Sequence, residues 1–139
     1  MTDDGYLAQI KTPDEARAVL TADNAHGIFI VSGLGWCFPC DLYHQNLNGC
    51  RELVEPVLKE RRLRLNWMYS PRGCEASETQ AREYEQMMAA IQQFLPGFRS
   101  PKSVPTTVFY KNRQEIFRES GTIGTRDLVE LIKARFPSS

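Results

Sequence analysis

Residues 27–40 read GIFIVSGLGWCFPC. Ile28, Phe29, Ile30 and Val31 form a continuous apolar run, the pattern of a strand covered on both faces in a parallel or mixed sheet. The run leads within a few residues to Cys37 and Cys40, and Pro39 between them suits an early helix position, where a missing N–H is no loss. Two thiols placed after a buried strand and at the start of a helix have a chemical consequence. Free N–H groups and the positive end of the helix dipole favour a thiolate at Cys37 and lower its pKa towards neutrality. Cys40, one turn later and more buried, is expected to stay protonated until it attacks.

Upstream, residues 6–10 (YLAQI) suit a short strand, and Thr12, Pro13 and Glu15 make a capping box that opens a helix from Pro13 to about Ala22 with Ala16, Val19 and Leu20 inward. Downstream, Leu42, Tyr43, Leu47, Leu53, Val54, Val57 and Leu58 recur at helical spacing, interrupted by Asn48-Gly49 and by Pro56, which predicts two helical pieces or one bent helix. RLRLNWMYS (62–70) is expected as a strand whose Leu63, Leu65, Trp67 and Tyr69 alternate with polar or flexible residues. A long helix over 76–94 follows, with Ser77 and Gln80 as its cap, a packing stripe of Tyr84, Met87, Met88, Ile91, Phe94 and Leu95, and Pro96-Gly97 as its stop. PTTVFYK, a turn at Asn112-Arg113, QEIFRESG and a helix from Thr125 with Leu128, Leu131, Ile132 and Phe136 inward complete the chain. The order β-α-β-α-β-α-β-β-α predicts an α/β sandwich with a sheet of mixed direction.

At 139 residues, 42% of them hydrophobic and 24% charged, residues 1–139 are expected to form a single domain. Lys plus Arg and Asp plus Glu number 17 each, so no global charge favours nucleic acid or an anionic membrane. The N-terminus carries Asp3 and Asp4 where a secretory signal needs base, and no run is long enough to span a bilayer. A cytoplasmic location is the expectation, and no feature of the chain signals an oligomeric state.

Four cysteines, Cys37, Cys40, Cys50 and Cys74, are too few for a disulfide scaffold, so Cys-x-x-Cys here means redox or metal. Tetrahedral zinc wants two short-spaced pairs, whereas Cys50 and Cys74 lie 24 positions apart. No metal and no cofactor is therefore expected. Cys50 is read as a small buried hydrophobe, and Cys74, within SPRGCEAS, as more exposed. His26 and His44 receive no role.

Trp36-Cys37-Phe38-Pro39-Cys40 resembles the active-site motif of the thioredoxin family, and the match extends further. Ser103-Val104-Pro105-Thr106 resembles the family's cis-proline loop, with Val108 to Asn112 in the place of its next strand. Gly121, sixteen residues after Pro105, falls where the family has a glycine lining the substrate groove, and Arg64-Leu65-Asn66 resembles the strand before the long helix. The resemblance covers most of residues 28–70 and 103–135. It implies a thioredoxin-like fold and a thiol–disulfide oxidoreductase with protein disulfides or dithiols as partners, a reductase among them. Cys37 would attack a partner disulfide and Cys40 would resolve the mixed disulfide, while Trp36, Phe38, Pro39, Val104, Pro105 and Gly121 would contact the substrate.

Three positions depart from the family. Val31, six before Cys37, stands where thioredoxins carry a buried acid that assists the resolving thiol. Phe38 adds apolar bulk where a small residue is common. Arg113 takes the usual glycine of a hairpin turn, at about 1 kcal/mol if φ must be positive. The helix over 76–94 is longer than the family needs, and the loop LPGFRSPKS after it has no family counterpart. Val31 keeps a second reading alive: a non-catalytic adaptor or redox sensor that uses the fold to bind a partner.

Overall fold

The computed structural model describes residues 7–22, 26–33, 37–70 and 77–137. Its elements are β1 (Leu7–Ile10), α1 (Pro13–Ala22), β2 (Gly27–Gly33), α2 (Phe38–Gly49), α3 (Arg51–Glu60), β3 (Leu65–Ser70), α4 (Glu78–Phe94), β4 (Thr106–Lys111), β5 (Gln114–Ser120) and α5 (Thr125–Arg135). Local chemistry sets the helix starts. The hydroxyl of Thr12 accepts the N–H of Glu15 at 3.1 Å and the Glu15 carboxylate accepts the N–H of Thr12 at 3.0 Å, and Ser77 and Gln80 repeat the box at 3.1 and 2.9 Å.

The strands lie in the order β1-β3-β2-β4-β5. β1 and β2 run parallel to β3, while β4 is antiparallel to both β2 and β5. Such a sheet buries β2 on both faces, and Ile28, Phe29, Ile30 and Val31 are all fully buried, each adding about 1.5–3 kcal/mol relative to exposure. Alternate residues feed two cores. Ile28, Ile30, Trp67 and Phe109 pack with Tyr43, Leu47, Val54, Leu58, Leu128 and Ile132 from α2, α3 and α5. On the other face Phe29, Val31, Met68, Val108 and Tyr110 pack with α1 and α4 through Ala16, Leu20, Met87, Met88 and Ile91.

The structure differs from the sequence reading in three places. Two helical pieces are present, divided just after Asn48-Gly49 at Cys50, whose N–H bonds Asn46 O at 3.0 Å; Pro56, expected as a second interruption, instead sits inside α3 with its ring exposed to solvent. β3 is not half-polar: as the strand between β1 and β2 it is buried on both faces, and Asn66 survives there because its Nδ2 donates to Ile28 O at 3.0 Å. Cys50 is half-buried and free, because the helix junction that it occupies lies near the surface.

Asn112 and Arg113 both have positive φ, at 54° and 61°, the backbone of a type I′ hairpin turn. The Arg113 guanidinium lies over the Phe94 ring at 5.6 Å and ties the turn to the end of α4. The segment after α4 is anchored in turn. Phe98 is buried in the second core, Gln92 Nε2 donates to Phe98 O at 2.9 Å, and Tyr84 and Ser100 share a hydroxyl hydrogen bond of 2.7 Å. Arg118 on β5 donates to Arg99 O at 2.9 Å and covers the Phe98 ring at 5.5 Å. This segment delivers the chain to Val104 and Pro105 at the start of β4.

Candidate functional site

The three parallel strands end on one edge of the sheet, where β2 stops at Gly33 opposite Ser70 of β3. Cys37 and Cys40 lie just beyond it and form a disulfide with Cα atoms 5.3 Å apart. Cys37 is the N-cap of α2, with extended φ and ψ of −151° and 95°, and its sulfur accepts the N–H of Cys40 at 3.3 Å. Sulfur thus takes the place that a serine or aspartate oxygen usually holds at a helix start. Pro39 is in the first turn, where its lack of an N–H costs nothing. Cys40 is 2% exposed and its sulfur accepts the N–H of Gly33 at 3.2 Å. Cys37 is half-buried, Pro39 is exposed and Phe38 is 63% exposed beside it.

Two other segments converge on the dithiol. The Val104–Pro105 peptide is cis. Val104 and Cys37 meet across the bare Cα of Gly33: a Cβ there would lie 3.1 Å from Val104 Cγ2 and 3.2 Å from Cys37 Cβ. Gly121, at φ +96°, donates its N–H to Pro105 O at 2.7 Å, a conformation that side-chain-bearing residues rarely adopt. Thr122 then donates its hydroxyl to Pro39 O at 3.2 Å. Cys37, Cys40, Pro39, Val104, Pro105 and Gly121 therefore gather at one end of the sheet with Phe38 on the rim, whereas Trp36 lies outside the described residues. Reading the sequence missed Gly33 and Thr122. The glycine ending an apolar run four residues before Cys37 was a usable signal; the Thr122 contact spans 83 residues and leaves no local trace.

Backbone N–H groups bond both sulfurs, and the acidic residue of the first turn of α2 is Asp41. Val31 is 0% exposed in the second core, paired with Thr106 of β4, and the buried polar side chains among the described residues are Ser32, Asn66, Ser70, Thr106 and Thr107. None of them is a carboxylate or an amine. Beneath α2 the Tyr43 hydroxyl shares a 2.7 Å hydrogen bond with Thr107. Burial pushes its phenol above the ordinary range, with the Thr107 bond pulling down and the Glu119 charge adding to the rise. His44 sets its ring edge-to-face against Trp67 at 5.0 Å and bonds Asn48 through Nδ1, and His26 lies against Phe136. These are packing contacts. No group of three or more His, Cys, Asp or Glu side chains comes together among the described residues, of which Cys74 is not one.

No family model and no curated protein matches the sequence. Solved structures do resemble it. Thioredoxin f2 of Chlamydomonas reinhardtii matches over 96% of this chain and 99% of its own, with a TM-score of 0.57 at 19% identity. The Malassezia sympodialis thioredoxin Mala s 13 matches over 96% and 94%, with a TM-score of 0.58 at 18% identity. A poplar thioredoxin h matches over 97% and 100%, with a TM-score of 0.57 at 17% identity. The chain has the thioredoxin fold. In that fold the dithiol stands at the carboxyl ends of the parallel strands, the edge where open α/β sheets place their reactive or binding groups. No helix among the described residues is long and apolar enough to cross a membrane.

Proposed function

We propose that this chain is a thiol–disulfide oxidoreductase that exchanges disulfides with partner proteins through Cys37 and Cys40. The observation that carries the reading is the asymmetry of the pair: a half-buried cysteine whose sulfur caps a helix and a fully buried one behind it, beside a cis-proline loop. In the reduced form the Cys37 thiolate attacks one sulfur of a partner disulfide, and the partner's other sulfur leaves as a thiolate. Cys40 then attacks Cys37 in the mixed disulfide, the second partner thiolate leaves, and the partner has gained the two electrons that the Cys37–Cys40 pair has lost. The Cys40 N–H favours the attacking thiolate at Cys37, and the Gly33 N–H is placed to stabilise charge on Cys40 as it attacks.

Trp36, Phe38, Pro39, Val104, Pro105 and Gly121 form the partner-contacting surface in this reading, with the backbone of Val104 offered to an extended segment. A reductase or another dithiol returns the pair to its reduced state. Residues 1–139 act as one thioredoxin-like domain, and a reducing cytoplasm suits a dithiol kept ready for attack. The buried, apolar side chain of Val31 favours a second reading, a partner-binding adaptor in which the dithiol exchanges slowly or only senses redox state.

Reduction of insulin disulfides by dithiothreitol tests the choice. Catalytic amounts of the protein are expected to accelerate it, Cys37→Ser to abolish the acceleration, and Cys40→Ser to accumulate a mixed disulfide on Cys37. No acceleration by the folded wild-type protein over dithiothreitol alone selects the adaptor.

A further inference from the structure

We propose that Thr122 is a positioning residue for Cys37, acting through the peptide group that joins Pro39 to Cys40. The carbonyl of that peptide accepts the Thr122 hydroxyl at 3.2 Å, and its N–H donates to Cys37 Sγ at 3.3 Å. A carbonyl only accepts, so the hydroxyl is the donor. The peptide is planar and conjugated, and drawing electron density onto its oxygen makes its N–H a stronger donor. The chain of bonds therefore runs from the Thr122 hydroxyl, through one peptide, to the sulfur that attacks.

Thr122 is held for this purpose from the opposite side of the site. Gly121, at φ +96°, bonds Pro105 O at 2.7 Å, so one dipeptide grips the cis-proline loop through its backbone and the first turn of α2 through its side chain. When the disulfide is reduced, a thiolate at Cys37 benefits from the strengthened N–H more than a neutral disulfide sulfur does. The hydroxyl consequently shifts the Cys37/Cys40 equilibrium towards the dithiol. The catalytic meaning of this shift rests on the oxidoreductase reading, but the equilibrium itself does not.

The test equilibrates wild type, Thr122→Val and Thr122→Ser with mixtures of glutathione and its disulfide. Each protein disulfide reduced consumes two glutathione thiols and yields one glutathione disulfide, so electrons and protons balance, and alkylation with mass analysis counts the reduced fraction. Thr122→Val, which keeps the shape and drops the hydroxyl, is expected to lower the reduction constant about threefold, the scale of one modest hydrogen bond. At 29.6 mV per tenfold this is ~14 mV towards more negative potential. Thr122→Ser is expected to match wild type, and iodoacetamide is expected to label Cys37 more slowly in reduced Thr122→Val than in either. A purely structural threonine would move the melting temperature and leave the constant alone. An unchanged constant in Thr122→Val, or a Thr122→Ser shift as large as the valine one, overturns the proposal. Thr122→Ala replaces the valine variant if that fails to fold. Failure to accelerate insulin reduction would sink the oxidoreductase reading while leaving this equilibrium measurable, so the two failures are distinct.

Discussion

The two cores on either face of the sheet are built from different materials. The one under α2, α3 and α5 holds Tyr43, Trp67, Phe109 and Phe136 in edge and tilted ring contacts, and a hydroxyl bond between Tyr43 and Thr107 joins α2 to β4. The one under α1 and α4 holds Met68, Met87 and Met88 among aliphatics, with Phe29 against Phe98 and Tyr110. Methionine adapts to irregular space and specifies little, whereas a buried hydroxyl pair has one good geometry. The difference follows what each core supports. α2 carries the dithiol and must sit at one angle to the sheet; α1 and α4 cover the other face, and no cysteine of the pair rides on them.

The largest expected effect comes from placing a charge-capable group in the permissive core. Val31→Asp buries a carboxyl in this core, opposite Thr106 of β4, and a loss of about 2–7 kcal/mol in denaturant unfolding is expected unless the carboxyl finds a hydrogen-bond partner. In molecules that fold, resolution of the mixed disulfide on Cys37 is expected to quicken by roughly 10²-fold, the low end of general-base assistance. Stopped-flow reduction of a model disulfide reads the rate, with Cys40→Ser as the trapped control. An unchanged rate in the folded variant would show that water or another group already serves as base.

The specified core is probed by Tyr43→Phe, which leaves the Thr107 hydroxyl buried without its partner and is expected to cost about 1–3 kcal/mol at neutral pH. This loss has a pH signature. Burial raises the Tyr43 phenol above its ordinary value of 10.0, so the folded state holds the proton more tightly than the unfolded chain does. The contribution of the phenol is complete below about pH 10 and is lost as pH rises beyond it, so the gap between wild type and variant is expected to stay constant up to about pH 10 and to narrow above it. A gap that stays constant above about pH 10 removes the linkage. The smallest effect is expected from Met88→Leu on the other face, below about 1.5 kcal/mol, since near-isovolumetric swaps are tolerated best. A larger loss there than for Tyr43→Phe would reverse the comparison.

Much of this contrast was legible along the chain, and the reasons are local. Thr12 with Glu15 and Ser77 with Gln80 set two helix starts by bonds three residues apart, and the apolar run over 28–31 has the pattern of the covered strand that it forms. The cysteine pair and the Val-Pro-Thr motif led to the same end of the sheet. What stayed hidden depends on partners distant in sequence. Asn66 reads as a surface residue until Ile28 O is beside it, and Pro56 reads as a helix stop until its exposed ring is seen. Residues 96–101 have no periodicity because side chains from α4 and β5 hold them in place.

That anchored segment restricts how the chain could change in length. Tyr84 and Gln92, on one flank of α4, both reach forward to grip it, at Ser100 and Phe98. Each residue inserted between Gln92 and the helix start would turn Tyr84, or both residues, about 100° around the helix axis. Insertions and deletions in α4 should therefore be accepted in steps of three or four residues, close to a whole turn, and rejected singly. Descendants of this sequence would record the constraint as a gap pattern with helical period.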